Sequence, residues 1–557
     1  MTTTKTATAI DTVFAYHDRT KHHFHRHARS LGHLDWANQP DPFRRYAETP
    51  TFHLPLTEHD ITHSYERLYD DDVPCQPLTL DRLSVFLENA LAVSATKVYQ
   101  GESWKLRCNP SSGNLHPTEG YVVVPAMEGL SENPGVYHYA PNEHALEQRC
   151  ELGVETWQEL MDGYPEGAFL AALTSIHWRE AWKYGERAYR YCNHDVGHAL
   201  AAYVFSAASL GWSCVLLDEM PDEAVGALLG ADRPEDYASS EAEYPDLVVA
   251  VFPGGAGVPT TLSASAGRDV AESRWRGAAN RLSLEHVQWH VIDEVTEACV
   301  KPATPAQTVD LMPPGPVDHL HGHNCTLSAH QIFQQRRSAV AMDGVTSISR
   351  RDFFTMLERT LPRPGRAPWK MWRWPASIHL GLFVHRVDEF PPGLYLLARD
   401  QETQPRLQEA MSEKFAWRRP DGCPDDLPLF ELATGDYRGI ATQLSCTQEI
   451  AGNGAFSLAM IADFEGCITR NGAWYYPRLF WEAGMVGQVL YLEAEAAGVR
   501  STGIGCYFDD PVHDLFGLTG RSFQSLYHFT VGGAIEDTRL TSEKPYSAER
   551  RAKRGWV

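Results

Sequence analysis

Residues 107–124 read RCNPSSGNLHPTEGYVVV. The run Pro110-Ser111-Ser112-Gly113-Asn114 bends the backbone and offers hydroxyl and amide groups at a turn. The run Tyr121-Val122-Val123-Val124 that follows is β-branched, so a polar turn feeds a buried strand. Such a turn is suited to holding a ligand. Its reading decides the fold because the chain repeats the elements around the turn but not the turn itself.

The chain has 557 residues, 43% hydrophobic and 22% charged, an ordinary globular composition. A chain of this length exceeds one core, and two domains of about 200 to 250 residues are expected. The formal charge of −23 repels phosphate backbones and anionic lipid, which argues against nucleic acid and membrane partners. An anionic ligand would therefore need a local basic pocket. The N-terminal sequence lacks the apolar stretch of a signal peptide, and no run of about 18 apolar residues occurs; the expected location is cytoplasmic. Eleven cysteines without CxxC pairs suit reduced thiols. Cys108, inside the opening stretch, and Cys506, in a glycine turn, read as small buried residues.

Outward from the turn, two segments share an order of elements. Tyr121–Val124 is followed by PGVYHYAP (134–141), and IHLGLFVHRV (378–387) by PPGLYLLARD (391–400); each pair reads as strand, Pro-Gly turn, strand. Each half then has an Ala- and Leu-rich helix ending at a glycine, Gly211 or Gly498. Each closes on a β-branched strand, LVVAVFPGG (247–255) and LYHFTVGG (526–533). The fold class expected is α+β, a duplicated domain forming an intramolecular pseudo-dimer. The boundaries read are 1–265 for the first domain, with an N-terminal arm to about residue 80, 266–326 for a linker with one helix (SLEHVQWHVIDEVTEACV), and 327–557 for the second domain.

In the order they occur, AYHDRTKHHFHRHARSLGHLDWANQPDPFRRY, RCNPSSGNLHPTEGYVVV, PGVYHYAP and WKYGERAYRYCNHDVGHAL resemble the FMN-dependent nitroreductase superfamily, in its SagB/ThcOx-type dehydrogenase branch. QQRRSAVAMDG, GIGCYFDD and VGGAIEDTR in the second half resemble it more faintly. The resemblance implies a mixed or antiparallel sheet flanked by helices in each half, with FMN between the halves. It assigns Arg336, Arg337, Ser338 and Arg539 to the phosphate, where guanidinium groups suit a dianion. It assigns Pro110, Ser111, Ser112 and Asn114 to the flavin side, and Gly503, Ile504 and Gly505 to backbone along the ring system. His385 and Arg386, at the end of a second-half strand, are expected to reach the cofactor. Val340 departs from the family's pattern, which often has a basic residue there.

The second half has APWKMWRWPASIHLG in place of the serine turn, and the first half has PGGAGVPTT in place of the late arginine. One of two possible sites has both contributions and the other has neither, so one FMN per chain is expected. The resemblance also marks Lys183 and Tyr184 as a pair that removes a proton in azoline oxidation, and Arg187 and Arg190 are expected to act on the lysine. The expected activity is hydride removal from a heterocycle-like or activated C–H group of a small molecule or peptide, with NAD(P)H or O2 as redox partner. Two alternatives are a NAD(P)H-dependent reductase of nitro, quinone or enone compounds and a non-catalytic peptide-binding scaffold. The histidine-rich stretches 21–33 and 318–325 lack a recognised ligand spacing, so no metal is expected. No strand-GxGxxG-helix unit is present. The assembly expected is a monomeric pseudo-dimer or a higher homo-oligomer.

Overall fold

A computed structural model describes residues 8–56, 63–69, 73–254, 257–306 and 322–546. The first half is built on a seven-stranded sheet, ordered edge to edge Thr51–His53, Ala145–Glu151, Gly135–Ala140, Thr118–Val124, Phe169–Ser175, Tyr244–Pro253 and Trp212–Leu216. The second half carries six strands, Leu429–Thr434, Gly393–Leu397, Ile378–Val384, Phe456–Asp463, Phe523–Gly532 and Arg500–Ile504. Without the short outer strand of the first, the two orders are the same, and neighbours in both are antiparallel. Thr118–Val124 and Ile378–Val384 are buried along their whole length, which explains apolar runs in place of alternation.

The Pro-Gly pairs do not form the bends. Gly135 and Gly393 open the second strand of each pair, and the bends lie upstream, where Met127 bridges Ser131. The glycines serve close strand approach: a Cβ on Gly135 would lie 2.7 Å from the Cys150 carbonyl oxygen.

Two long helices, α1 (Ala188–Ser209) and α2 (Tyr476–Ala496), are buried along their length. They pack on each other between the sheets and form the centre of the main core. Gly211 and Gly498, just past them, take the left-handed φ of +69° and +74° that stops a helix. Two smaller cores cover the outer sheet faces.

The halves exchange segments. Thr541–Glu543 adds a strand to the hairpin Val93–Tyr99 and Glu102–Arg107. The helix Ala9–Arg19 leads into His22, whose backbone N–H donates to Asp509 at 2.8 Å.

The expected linker is more ordered than a connector. Ser263 caps a helix, Ala264–Glu272, and Ala278–Ala279 pairs with Tyr46–Ala47. The helix expected over 283–300 is confined to His290–Ala298. Upstream of it, Ser283 Oγ accepts from Trp178 Nε1 at 2.8 Å, and the Glu285 N–H donates to Asn38 at 2.7 Å. Contacts with the first half thus replace helical bonds there. Among the described residues, no helix is long and apolar enough to cross a membrane.

Candidate functional site

The serine turn is a short 3-10 segment, Ser112–Asn114. Gly113, Asn114 and His116 lie at φ of +59°, +59° and +52°, unusual for the last two. The turn is held from below. The His116 N–H donates to Ser111 Oγ at 2.8 Å, and Ser112 donates its N–H and its hydroxyl to Asp195 on α1, both at 3.1 Å. Asn114 donates to the Lys105 carbonyl at 2.9 Å. The serine hydroxyls therefore fasten the turn, and its outer surface faces a cleft of about 840 Å³.

The opposite wall comes from the second half. Pro110, Ser111, Ser112 and Asn114 share the cleft with Arg336, Arg337, Ser338, Gly503, Ile504 and Gly505. Arg336 Nε and Nη2 donate to the carbonyls of Cys108 and Arg107 at 2.9 and 3.0 Å, while its buried Nη1 has no partner. Arg337 donates to the carbonyls of Gln334 (2.9 Å), Arg336 (2.6 Å) and Ser94 (3.0 Å). Tyr491 Oη, on α2, meets Ser338 Oγ at 2.8 Å and accepts from the Gly503 N–H at 2.9 Å. The glycines of this wall make room for protein rings: a Cβ on Gly503 would overlap Tyr527 Oη, and one on Gly505 would overlap the Tyr191 ring.

Electrostatically the wall is cationic in a strongly acidic chain. Arg336, Arg337 and Arg500 line it, and Lys97 and Arg107 line the cleft from the first half. Burial pushes Arg107 and Arg337 down to about 10 and lowers Arg336 as well. Such cations are relieved by a bound anion.

Lys183 and Tyr184 end the helix His177–Tyr184 and rise against the serine turn. A Cβ on Gly113 would lie 2.7 Å from Tyr184 Oη and 3.1 Å from Lys183 Nζ. Burial raises the Tyr184 phenol well above its ordinary value. Below them Asp195 is pushed up to about 7 by burial, against the hydrogen bonds from Ser111 and Ser112. Glu180 is fully buried, with both carboxyl oxygens unpartnered, and burial followed by the Asp195 charge raises it well above the usual carboxylate range. Arg187 and Arg190, expected to act on Lys183, instead bind Asp509 at 3.0 and 2.9 Å.

Three expected cofactor residues are not among those that line the cleft. His385 and Arg386 are a correction. They end the strand Ile378–Val384, three strands from Arg500–Ile504, roughly 14 Å at ordinary strand spacing. His385 Nε2 meets the Ala451 carbonyl at 3.1 Å, and Arg386 donates to the Gly454 carbonyl at 2.6 Å, so both cap the neighbouring helical turn. Arg539 is exposed, paired with Asp537 at 2.8 Å; Asp537 and Leu540 line the cleft and Arg539 lies at its rim.

Sequence reasoning missed Asp195, His198, Tyr491 and Tyr527, which also line the cleft. The signal was available in HDVGH: polar residues on a helix otherwise rich in Ala and Leu, with Asp195 and His198 three apart and so on one face.

The counterpart position, related by exchanging the halves, is filled. Glu482 stands on α2 as Asp195 does on α1, and accepts from the Ser377 N–H at 2.9 Å. There Arg399 also bonds Glu482, its guanidinium 4.6 Å from the buried Trp369 ring. Arg478 faces Asp222 at 3.7 Å, and Lys301 donates to the Met220 carbonyl at 3.1 Å. Protein side chains thus supply both charge and bulk. The Trp369, Trp372 and Trp374 stretch packs in this core and does not line the cleft.

In the first histidine-rich stretch, ligand atoms of His22 and His27 lie within 4.8 Å of each other and of the Cys506 sulfur. His323 lies between Asp352 and Glu493 at 2.8 and 2.9 Å, and 318–321 fall outside the described residues.

The sequence profile of the nitroreductase family matches residues 68–240 and 391–533. A Methanocaldococcus jannaschii protein provisionally named a nitroreductase is 30% identical over 159 residues, 28% of this chain and 75% of that protein. A crystal structure from Anabaena variabilis, also provisionally named a nitroreductase, superimposes with a TM-score of 0.65 at 21% identity, over 94% of this chain and 99% of that one.

Proposed function

We propose, from the premise that this chain belongs to the nitroreductase family, that it is an FMN-dependent oxidoreductase of the SagB type with one flavin between its halves. The observation that carries the reading is the pairing of one open cleft, walled by both halves, with a counterpart position filled by side chains. The cleft fits a flavin nucleotide by its size and by Arg336 Nη1, a buried donor without a protein partner. The arginine wall would hold the phosphate and the serine turn would face the ring system. When bound, FMN accepts or gives a hydride equivalent.

The chain's own residues do the rest. Lys183 and Tyr184 stand at the turn where a substrate would meet the cofactor, and Lys183 is assigned to take a proton from the substrate carbon while Tyr184 orients it. The buried carboxyls of Asp195 and Glu180 hold a proton beneath them. The exposed apolar side chains of Val340 and Ile535 at the opening would admit a heterocycle flanked by apolar groups, in a small molecule or a peptide. The boundaries 1–265, 266–326 and 327–557 remain our division of the chain.

The test is anaerobic. The chain reconstituted with FMN is mixed with a thiazoline-bearing peptide and, separately, with NADPH, and flavin absorbance is followed. Dehydrogenation predicts bleaching by the thiazoline. Bleaching by NADPH alone, followed by reoxidation with a nitroaromatic, would replace this reading by the reductase.

A further inference from the structure

Two of the chain's cysteines meet at the flank of the cleft. Cys506 follows Gly505 and lines the cleft, and its thiol and the Cys446 thiol act on each other electrostatically. Two loops fix this meeting. Gln448 Nε2 donates both to the Ser445 carbonyl at 2.8 Å and to the Cys506 carbonyl at 3.0 Å, and the Phe508 N–H donates to the Leu444 carbonyl at 2.8 Å. Cys446 and Thr447 lie at φ of +53° and +58°, a conformation that costs free energy for non-glycine residues and that the clamp maintains.

The surroundings suit a reactive sulfur. Both thiols are part-exposed, whereas six other cysteines are buried. Arg187 donates to the Gly505 carbonyl at 3.3 Å, and ligand atoms of His22 and His27 lie within 4.8 Å of the Cys506 sulfur. The neighbouring Cys446 thiol, and then the Arg187 charge, favour the Cys506 thiolate; burial and the Asp509 carboxylate oppose it. An acidified, accessible thiol beside a second one is the arrangement of a dithiol that exchanges with disulfides.

We propose that Cys446 and Cys506 form a redox-active dithiol that is oxidised to an intramolecular disulfide by small disulfides entering the cleft. In the first step the Cys506 thiolate attacks one sulfur of R–S–S–R and expels RS⁻. In the second, the Cys446 thiol loses its proton and attacks the Cys506 sulfur of the mixed disulfide, expelling the second RS⁻. Two thiols RSH leave with the two cysteine protons, and two electrons pass from the dithiol to the incoming disulfide. The exchange needs no cofactor and does not rest on the function proposed above.

A metal ion on His22, His27 and Cys506 is the rival occupant. His22 Nδ1 accepts from the Ala28 N–H at 2.8 Å, which leaves the proton of the neutral ring on Nε2 and takes its remaining lone pair out of use. The Arg187 guanidinium adds positive charge on the same side. The dithiol is therefore the better supported.

The full chain as purified is incubated at neutral pH with 2-hydroxyethyl disulfide, with and without EDTA, then alkylated, digested and mapped by mass spectrometry. The expected product is a Cys446–Cys506 cross-linked peptide. Cys506, the thiol favoured as thiolate, should react faster than the exposed Cys75. Cys446→Ser should stop at a mixed disulfide on Cys506. Equal alkylation of both cysteines before and after the oxidant would overturn the proposal. So would protection that disappears only when EDTA removes bound zinc. The wild-type map alone decides, so the result stands even if the variant folds poorly.

Discussion

Gly197 and Gly484 meet backbone to backbone where α1 crosses α2. A Cβ on Gly484 would lie 2.9 Å from the Gly197 Cα and would overlap the His194 carbonyl oxygen; one on Gly197 would overlap the Trp481 carbonyl oxygen. The two glycines hold equivalent places in the halves, so this contact sets the distance between the two walls of the cleft. Trp481 Nε1, donating to Asn193 at 2.8 Å, locks the crossing.

Gly484→Ala forces the helices apart, since backbone cannot yield as a flexible side chain can. Overpacking of this kind costs about 1 to 3 kcal/mol. The variant should melt several degrees lower and bind FMN at least tenfold more weakly, as read by calorimetry and flavin titration.

Arg336 and Arg337 are adjacent but not equivalent. Arg337 is committed to three carbonyls, whereas Arg336 keeps one buried donor unpartnered. Arg336→Gln should weaken FMN binding about 10- to 100-fold, the value of one or two charge-assisted hydrogen bonds. His385→Ala, remote from the cleft, should leave it within about twofold. Equilibrium titration of the flavin-free protein measures both.

Lys183→Met and Tyr184→Phe should retain flavin and lose turnover with a thiazoline-bearing peptide by about 10²- to 10⁴-fold, the range for a general base and its partner. Rapid-mixing measurement of flavin bleaching separates this loss from weakened binding.

Asp195 gives the fold a pH dependence of definite sign. In the folded chain it holds its proton up to about pH 7, whereas an unfolded carboxyl releases it near 4. Between these values the folded state binds more protons, so stability falls as pH rises and levels off above about 7. Asp195→Asn should flatten this dependence, narrowing the change between pH 4.5 and 7.5 by on the order of 3 kcal/mol. Urea denaturation of the flavin-free protein at the two pH values tests it.

Much of this organisation was legible in the residues. Local signals carry over directly: the strands around Tyr121–Val124 and Ile378–Val384, and the helix stops at Gly211 and Gly498. The asymmetry between the halves also reads from sequence, because a serine turn and WKMWRW cannot make the same surface. The misreadings share a cause, since periodicity says nothing about which sheet position a strand end occupies. His385 and Arg386 end a strand of the right type, but three strands from the cleft. The extent of the helix before Ala298 depended on Asn38 and Trp178, far upstream in sequence. Gly503 and Gly505, read as backbone for a ligand, do line the cleft, with the Tyr527 and Tyr191 rings packed beside them.

The central claim is that two half-sites make one whole. Titration of the flavin-free chain with FMN, followed by the change in flavin absorbance, measures the stoichiometry directly. The account predicts one FMN per chain for the wild type. Arg399→Ala, on the filled counterpart position, should leave that number unchanged. Two FMN per chain, or none, would contradict it.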